Sequence, residues 1–240
     1  MIETKFKFSK NDVVIVLTGA GISAESGLKT FRDHDGLWEN HKVDEVATPE
    51  AFKCDPELVW RFYKQRYFQL AEVKPNPGHL ALKKLEDFLG NNFMLITQNV
   101  DGLHEQAGNE RILEMHGSLR DCFCTKFGTN FKMQDVDLNP AVPLCKECGA
   151  ALRPDIVWFG EIPYYMNEID LVLKQADYFL VIGTSGIVQP AASLAYLARM
   201  NGAKTIGVNL VPPENMMFID EFHQGRSGEI LPELVEKWIG

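Results

Sequence analysis

The chain has 240 residues, 45% of them hydrophobic, with a formal net charge of -9. That length and apolar content can bury one large core with a smaller lobe beside it, and the acidic balance argues against a nucleic-acid partner, which would need a basic face. No stretch reaches the length of a membrane-spanning helix, the first residues lack the apolar run of an export signal, and five cysteines suit metal binding or free thiols better than a disulfide framework; a cytoplasmic monomer with no membrane partner is the expectation.

In chain order, Val13 to Thr18 is a β-branched apolar run that reads as a strand buried on both faces. Similar runs recur at Phe93 to Thr97, Asp155 to Phe159, Tyr178 to Gly183 and Thr205 to Leu210. Between them, Leu82, Leu85 and Leu89 repeat at helix spacing and stop at Gly90. Pro190 opens a helix through Met200, and a last helix starts near Pro232. Strands alternating with helices predict an α/β fold, a Rossmann-like parallel sheet with helices on both faces. Two insertions interrupt it. The expected division of this single domain is a large lobe at about 1–30, 74–118 and 153–240, and a small lobe of a helical insertion (31–73) and a cysteine-containing insertion (119–152) resembling a zinc ribbon.

Two patterns carry chemistry on their own. Gly19-Ala20-Gly21-Ile22-Ser23-Ala24, directly after the first strand, fits a dinucleotide fingerprint in which small residues let the backbone approach a pyrophosphate at a helix N-terminus. The acidic residue that closes a second strand in dehydrogenases is missing, since Asp44 and Glu45 near that offset lie in no strand. Asp55-Pro56 caps a helix on which Val59, Phe62, Tyr63 and Leu70 share one stripe. Arg66 falls on the same stripe, where a guanidinium must reach water, pair with a carboxylate or await an anionic ligand. Tyr63 and Arg66, one turn apart, can meet on one group.

GAGIS, ESGLKTFR (Glu25 to Arg32), TQNVDGLH (Thr97 to His104), MHGSL (Met115 to Leu119), WFGE (Trp158 to Glu161) and GTS (Gly183 to Ser185) stand in one order along the chain. Together they resemble the sirtuin family of NAD-dependent protein-lysine deacylases. The resemblance implies a cradle for NAD from Gly19, Ala20, Gly21, Ser23, Phe31, Arg32, Trp38, Gln98, Asn99, Asp101, Gly183, Thr184, Ser185, Asn209 and, less firmly aligned, Ser227. It makes His116 the catalytic base, with Asn99 and Asp101 beside the nicotinamide ribose. The implied reaction joins the acyl-lysine carbonyl oxygen to the ribose carbon as nicotinamide leaves. His116 then activates a ribose hydroxyl, giving free lysine and O-acyl-ADP-ribose. Val157, Phe159, Gly160, Gly186 and Val188 match segments that clamp the substrate peptide as an added strand. Tyr63, Arg66 and Ala47 match the subclass that removes succinyl, malonyl or glutaryl groups, beside acetyl. There Arg and Tyr grip the acyl carboxylate and a small residue makes room for it. The partners implied are acylated lysine peptides of other proteins.

Sirtuins commonly hold a structural zinc with two C-x-x-C pairs. Cys145 and Cys148 form one pair, but Cys124 is followed by Phe127 where the second Cys belongs. The expected ligands are Cys124, Cys145 and Cys148, with Cys122 a less favourable fourth and zinc occupancy left open. Of the other histidines, His79 reads as a satisfied core residue, His104 as support near the nucleotide, and His34, His41 and His223 as surface. Competing readings are a non-catalytic NAD or ADP-ribose-binding protein, a mono-ADP-ribosyltransferase and, from the glycine fingerprint alone, a dehydrogenase.

Overall fold

The computed structural model describes residues 2–28, 37–38 and 41–240. Its strands are β1 (Val14–Thr18), β2 (Leu37–Trp38), β3 (His41–Lys42), β4 (Phe93–Thr97), β5 (Ile112–Glu114), β6 (Gly117–Cys124), β7 (Asn130–Lys132), β8 (Leu152–Ile156), β9 (Tyr178–Ile182), β10 (Lys204–Asn209) and β11 (Glu221–Gln224). Its helices are α1 (Ala20–Ser23), α2 (Val43–Val46), α3 (Pro49–Cys54), α4 (Pro56–Gln69), α5 (Pro77–Leu89), α6 (Leu103–Gln106), α7 (Met166–Leu173), α8 (Leu194–Met200) and α9 (Ser227–Ile239). Among the described residues none is long and apolar enough to cross a membrane.

β1 shows why the main sheet is parallel and covered. Val14 and Val16 point into a core closed by α5 and α9, through Leu82, Leu85, Leu231, Leu234 and Trp238. Ile15 and Leu17 point the other way, toward α7 and α8, through Ile169, Leu173, Leu194 and Ala198. A strand with no solvent face needs a continuous apolar run, and helices on both sides supply its cover. The sheet order is β11-β10-β9-β1-β4-β5, all pairs parallel. The chain leaves β1 toward β4 and returns to β9 on its other side, which makes the carboxyl end of β1 a topological switch point, where ligands sit in open α/β sheets.

Two expectations about the elements are corrected. The run Asp155 to Phe159 is not a strand of the main sheet: β8 ends at Ile156 and pairs antiparallel with β6 in a separate sheet ordered β7-β6-β8. An apolar run of this length does not reveal which sheet it joins. The last helix begins at Ser227, with Pro232 inside it, because Gly228 N–H is satisfied by Glu25 Oε1 at 2.9 Å and the helix can start a turn and more before the proline. The short edge strands β5 and β11 were not anticipated, being too brief and mixed for an apolar signal.

α4 starts as its sequence dictates. Asp55 Oδ1 accepts from Leu58 N–H at 2.9 Å, with Pro56 in the first turn. The stripe Val59, Phe62, Tyr63 and Leu70 is buried against Val46, Ala47, Leu119, Ile156 and Trp158. Trp60 faces the opposite way, into the cysteine module, and donates to Leu152 O at 2.8 Å. One helix therefore joins the helical insertion to the cysteine module.

Candidate functional site

A cleft of about 600 Å³ runs across the carboxyl ends of β1, β4, β9 and β10 and on to α4. Its floor is made by two loops in close contact. Gly21 N–H donates to Gly183 O at 2.7 Å, and a Cβ on Gly21 would lie 2.7 Å from Gly183 Cα. Gly183 itself has φ 63°, and a Cβ there would meet Ile22 N at 2.4 Å. What these glycines are required for is loop-to-loop approach, which brings Gly19, Ala20, Gly21, Gly183, Thr184 and Ser185 to the same cleft wall. The helix at this turn is short: α1 spans four residues and continues as a 3-10 turn through Ser26, so any dipole contribution is small.

The residues after β4 are braced from below. Gln98 Nε2 donates to Thr184 Oγ1 at 3.0 Å, and Asn99 Nδ2 donates to Gly19 O and Ser23 Oγ, both at 3.1 Å. Asp101 is buried and accepts from Leu103 N–H at 2.9 Å. Burial raises its pKa, while the bonds from Leu103 and Ser23 and the charges of Arg66 and Arg120 pull it back down. Beneath them Thr18 Oγ1 is hydrogen-bonded to Thr97 Oγ1 at 2.8 Å and lies 3.0 Å from His104 Nε2. His104 thus supports the strand ends as expected. His79 packs against it, with ring centroids 4.8 Å apart and the ring planes tilted by 55°. His79 Nδ1 accepts from Asn76 N–H at 3.3 Å, but Nε2 is buried with no hydrogen-bond partner among the described residues, so this histidine is only half satisfied.

His116 lines the same cleft, half-buried, with Nδ1 3.2 Å from Gln98 O. Burial lowers its pKa and outweighs the opposing effect of the Gln98 carbonyl, which keeps the ring neutral near pH 7. If Nδ1–H donates to that carbonyl, Nε2 is the basic atom.

At the α4 end the cleft is lined by Ala47, Tyr63 and Arg66. Tyr63 is fully buried and its hydroxyl oxygen accepts from Trp158 Nε1 at 2.9 Å, so its own O–H must point elsewhere. Burial raises the phenol's pKa, keeping it a donor at neutral pH. Trp158 is held in turn: the Arg153 guanidinium lies 3.5 Å from its ring centroid and makes two bonds to Glu161, at 2.7 and 2.5 Å. Glu161 accepts from Trp158 N–H at 2.8 Å. Phe159 N–H donates to Ala47 O at 3.0 Å, and Val157 N–H to His116 O at 2.9 Å.

Val157, Phe159, Gly160 and Val188 line the cleft, and so do Asn209, whose Nδ2 donates to Thr184 O at 2.8 Å, and the buried Ser227. Gly186 is not a lining residue; it turns with φ 72° against Asn215. Phe31, Arg32 and the Trp38 side chain lie outside the described residues. Asp44 and Glu45 sit in α2, in keeping with the missing dehydrogenase-type acid. Sequence reasoning missed Glu25, Gln69, Leu210 and Arg226 as lining residues. Gln69 was findable, one turn beyond Arg66 on the same helix. His223, expected at the surface, is buried against Glu221 at 2.7 Å.

In the cysteine module the Sγ atoms of Cys124, Cys145 and Cys148 all lie within 4.8 Å of one another. Cys122 is outside that group. It is buried among Trp60, Met133 and Leu152 in the apolar core of the module, away from the three clustered sulfurs. Three sulfurs on facing turns fit a thiophilic cation such as zinc, one ligand short of a closed protein tetrahedron.

A cleft built this way at a switch point belongs to the nucleotide-using α/β enzymes. The chain is a member of the Sir2 family, whose model matches residues 19–190. It is 49% identical over 229 residues to the NAD-dependent protein deacylase of Escherichia coli K12, covering 94% of this chain and 82% of that protein. The NAD-dependent protein deacylase of Salmonella typhimurium LT2 is 47% identical over 232 residues, covering 96% and 85%. Among solved structures, a Sir2 homologue–NAD complex is similar with a TM-score of 0.87 and 40% identity, covering 95% of this chain and 90% of that one. A Sir2–p53 peptide–NAD+ complex has a TM-score of 0.83 and 31% identity, covering 93% and 92%.

Proposed function

We propose that this chain uses NAD to remove acyl groups from lysines of protein substrates, with acidic acyl groups (succinyl, malonyl, glutaryl) preferred and acetyl also accepted. NAD supplies a glycosidic bond that breaks with nicotinamide as leaving group. The chain's own residues do the rest. Gly19 to Ser23, Gly183 to Ser185, Asn209 and Ser227 hold the nucleotide, while Gln98, Asn99 and Asp101 hold the nicotinamide end. His116, neutral at pH 7, takes a proton from a ribose hydroxyl. Val157, Phe159, Gly160 and Val188 carry the peptide, so that its lysine enters between His116 and α4. Tyr63 and Arg66 receive the acyl carboxylate, with Ala47 leaving room. The substrates proposed are acylated proteins rather than nucleic acid, acted on by a monomer in the cytoplasm.

The observation that carries this reading is the single cleft shared by His116, the carboxyl ends of β1 and β4, and the Tyr63–Arg66 pair. Incubation with NAD+ and a succinyl-lysine peptide tests it. Nicotinamide and unmodified lysine should appear together with no NADH absorbance. NADH formation would point to hydride transfer, label left on protein to ADP-ribosyl transfer, and no turnover to a binding protein.

A further inference from the structure

The two turns of the cysteine module share one backbone. Gly128 N–H donates to Cys124 O and Gly149 N–H to Cys145 O, both at 2.8 Å. Each closing glycine is left-handed, with φ 68° and 71°. The residue before the glycine is therefore equivalent in the two turns: Cys148 in one and Phe127 in the other. In the first turn the N–H groups of Lys126 and Phe127 are directed at Cys124 Sγ, as in a turn shaped to hold a thiolate. Cys124 and Cys148 Sγ are 3.5 Å apart. The Phe127 side chain is 62% exposed, so its ring faces solvent and does not plug the place that a fourth sulfur would take.

The module also has its own apolar core. Trp60, Cys122, Met133 and Leu152 are buried together, with Phe131, Val136 and Leu138 packed on them. A metal is therefore not needed to bury this lobe, and one ligand can be lost without losing the turn that carried it.

We propose that Cys124, Cys145 and Cys148 bind a thiophilic divalent cation through three thiolates, with the fourth position, on the Phe127 side, taken by an exchangeable external ligand such as water or a small thiol. Closed structural sites use four protein ligands, whereas three protein ligands leave a position that solvent can reach. The metal in this lobe is then exchangeable and open to small thiols. This inference does not depend on the deacylase reading.

The test uses the whole chain, reduced and metal-free, titrated with Co2+ without oxygen and followed by the thiolate-to-cobalt charge-transfer and d–d bands. One cobalt should bind per chain, and the d–d bands should shift when 2-mercaptoethanol is added. In Phe127→Cys the charge-transfer intensity per cobalt should rise by about one third, from three sulfurs to four, and added thiol should leave the bands unmoved. A wild-type chain without cobalt charge transfer overturns the proposal. So does a wild-type spectrum indifferent to added thiol, which would mean that a fourth protein ligand already closes the site. The wild-type titration decides the matter even if Phe127→Cys folds poorly.

Discussion

At the scale of single residues, the cleft works by environment. His116 is an imidazole that burial keeps in its neutral, proton-accepting form by disfavouring the charged one. As pH falls, the ring protonates with a pKa below the usual 6.5 or so, and kcat/KM should drop along that acid limb. His116→Ala should remove the limb and lower turnover by roughly 10²- to 10⁴-fold, the usual contribution of a general base. NAD+ binding, followed by calorimetry, should persist. A variant that keeps both turnover and the acid limb would assign the base elsewhere. Tyr63 is oriented from behind by Trp158 Nε1. Tyr63→Phe should therefore weaken acidic acyl substrates more than acetyl ones, read as kcat/KM on matched peptides.

At the scale of elements, what positions the cleft is the contact between neighbouring strand ends. The Thr18–Thr97–His104 hydrogen bonds tie β1 to β4 beneath Asn99, and His79, packed against the His104 ring, joins α5 to them. Burial lowers the His79 pKa to about 4 and holds His104 well below its usual value. The unfolded chain takes up protons on these rings as pH falls through about 6.5, while folded His79 does not until about pH 4, so stability must fall between those limits. From pH 7 to 5 the loss from His79 is about 2 kcal/mol, and urea unfolding of His79→Gln should show a flatter dependence than wild type. Equal slopes would show that His79 is not buried neutral. The loop after β8 rests on the Arg153–Glu161 pair under Trp158. Glu161→Ala should raise the KM for peptide more than that for NAD+; an unchanged peptide KM would detach this pair from substrate binding.

Legibility follows the same division. Elements with one strong periodic or apolar signal were readable: β1, β4, β9, β10, α5, and α4 with its Asp55 cap. Arg66 was visible as a charge on an apolar stripe, and the glycine turn as a fingerprint after a strand. Sheet membership was not readable for Asp155 to Phe159, because its pairing with β6 depends on residues more than thirty positions away. The edge strands β5 and β11 are three and four residues long and only partly buried, too little for an apolar pattern to mark. The role of Gly21 against Gly183 was also hidden, since two loops distant in sequence meet only after the sheet has formed.

At the scale of the whole molecule, α4 is the element that brings Tyr63 and Arg66 to the cleft that His116 lines. One of its faces packs against the strand-end loops and Trp158, the other holds Trp60 in the cysteine module, and Arg66 lines the cleft that His116 also lines. Arg66 and the buried Asp101 line the same cleft, and the Arg66 charge opposes the rise that burial gives the Asp101 carboxyl. The most direct measurement is the ratio of kcat/KM for succinyl over acetyl peptide of the same sequence, in wild type and in Arg66→Met. The wild-type ratio should exceed one and fall roughly 10- to 100-fold in the variant, as expected for losing a charged two-pronged contact. Equal loss on both peptides, or a ratio unmoved by the substitution, would contradict a carboxylate-reading pocket joined to the NAD cleft.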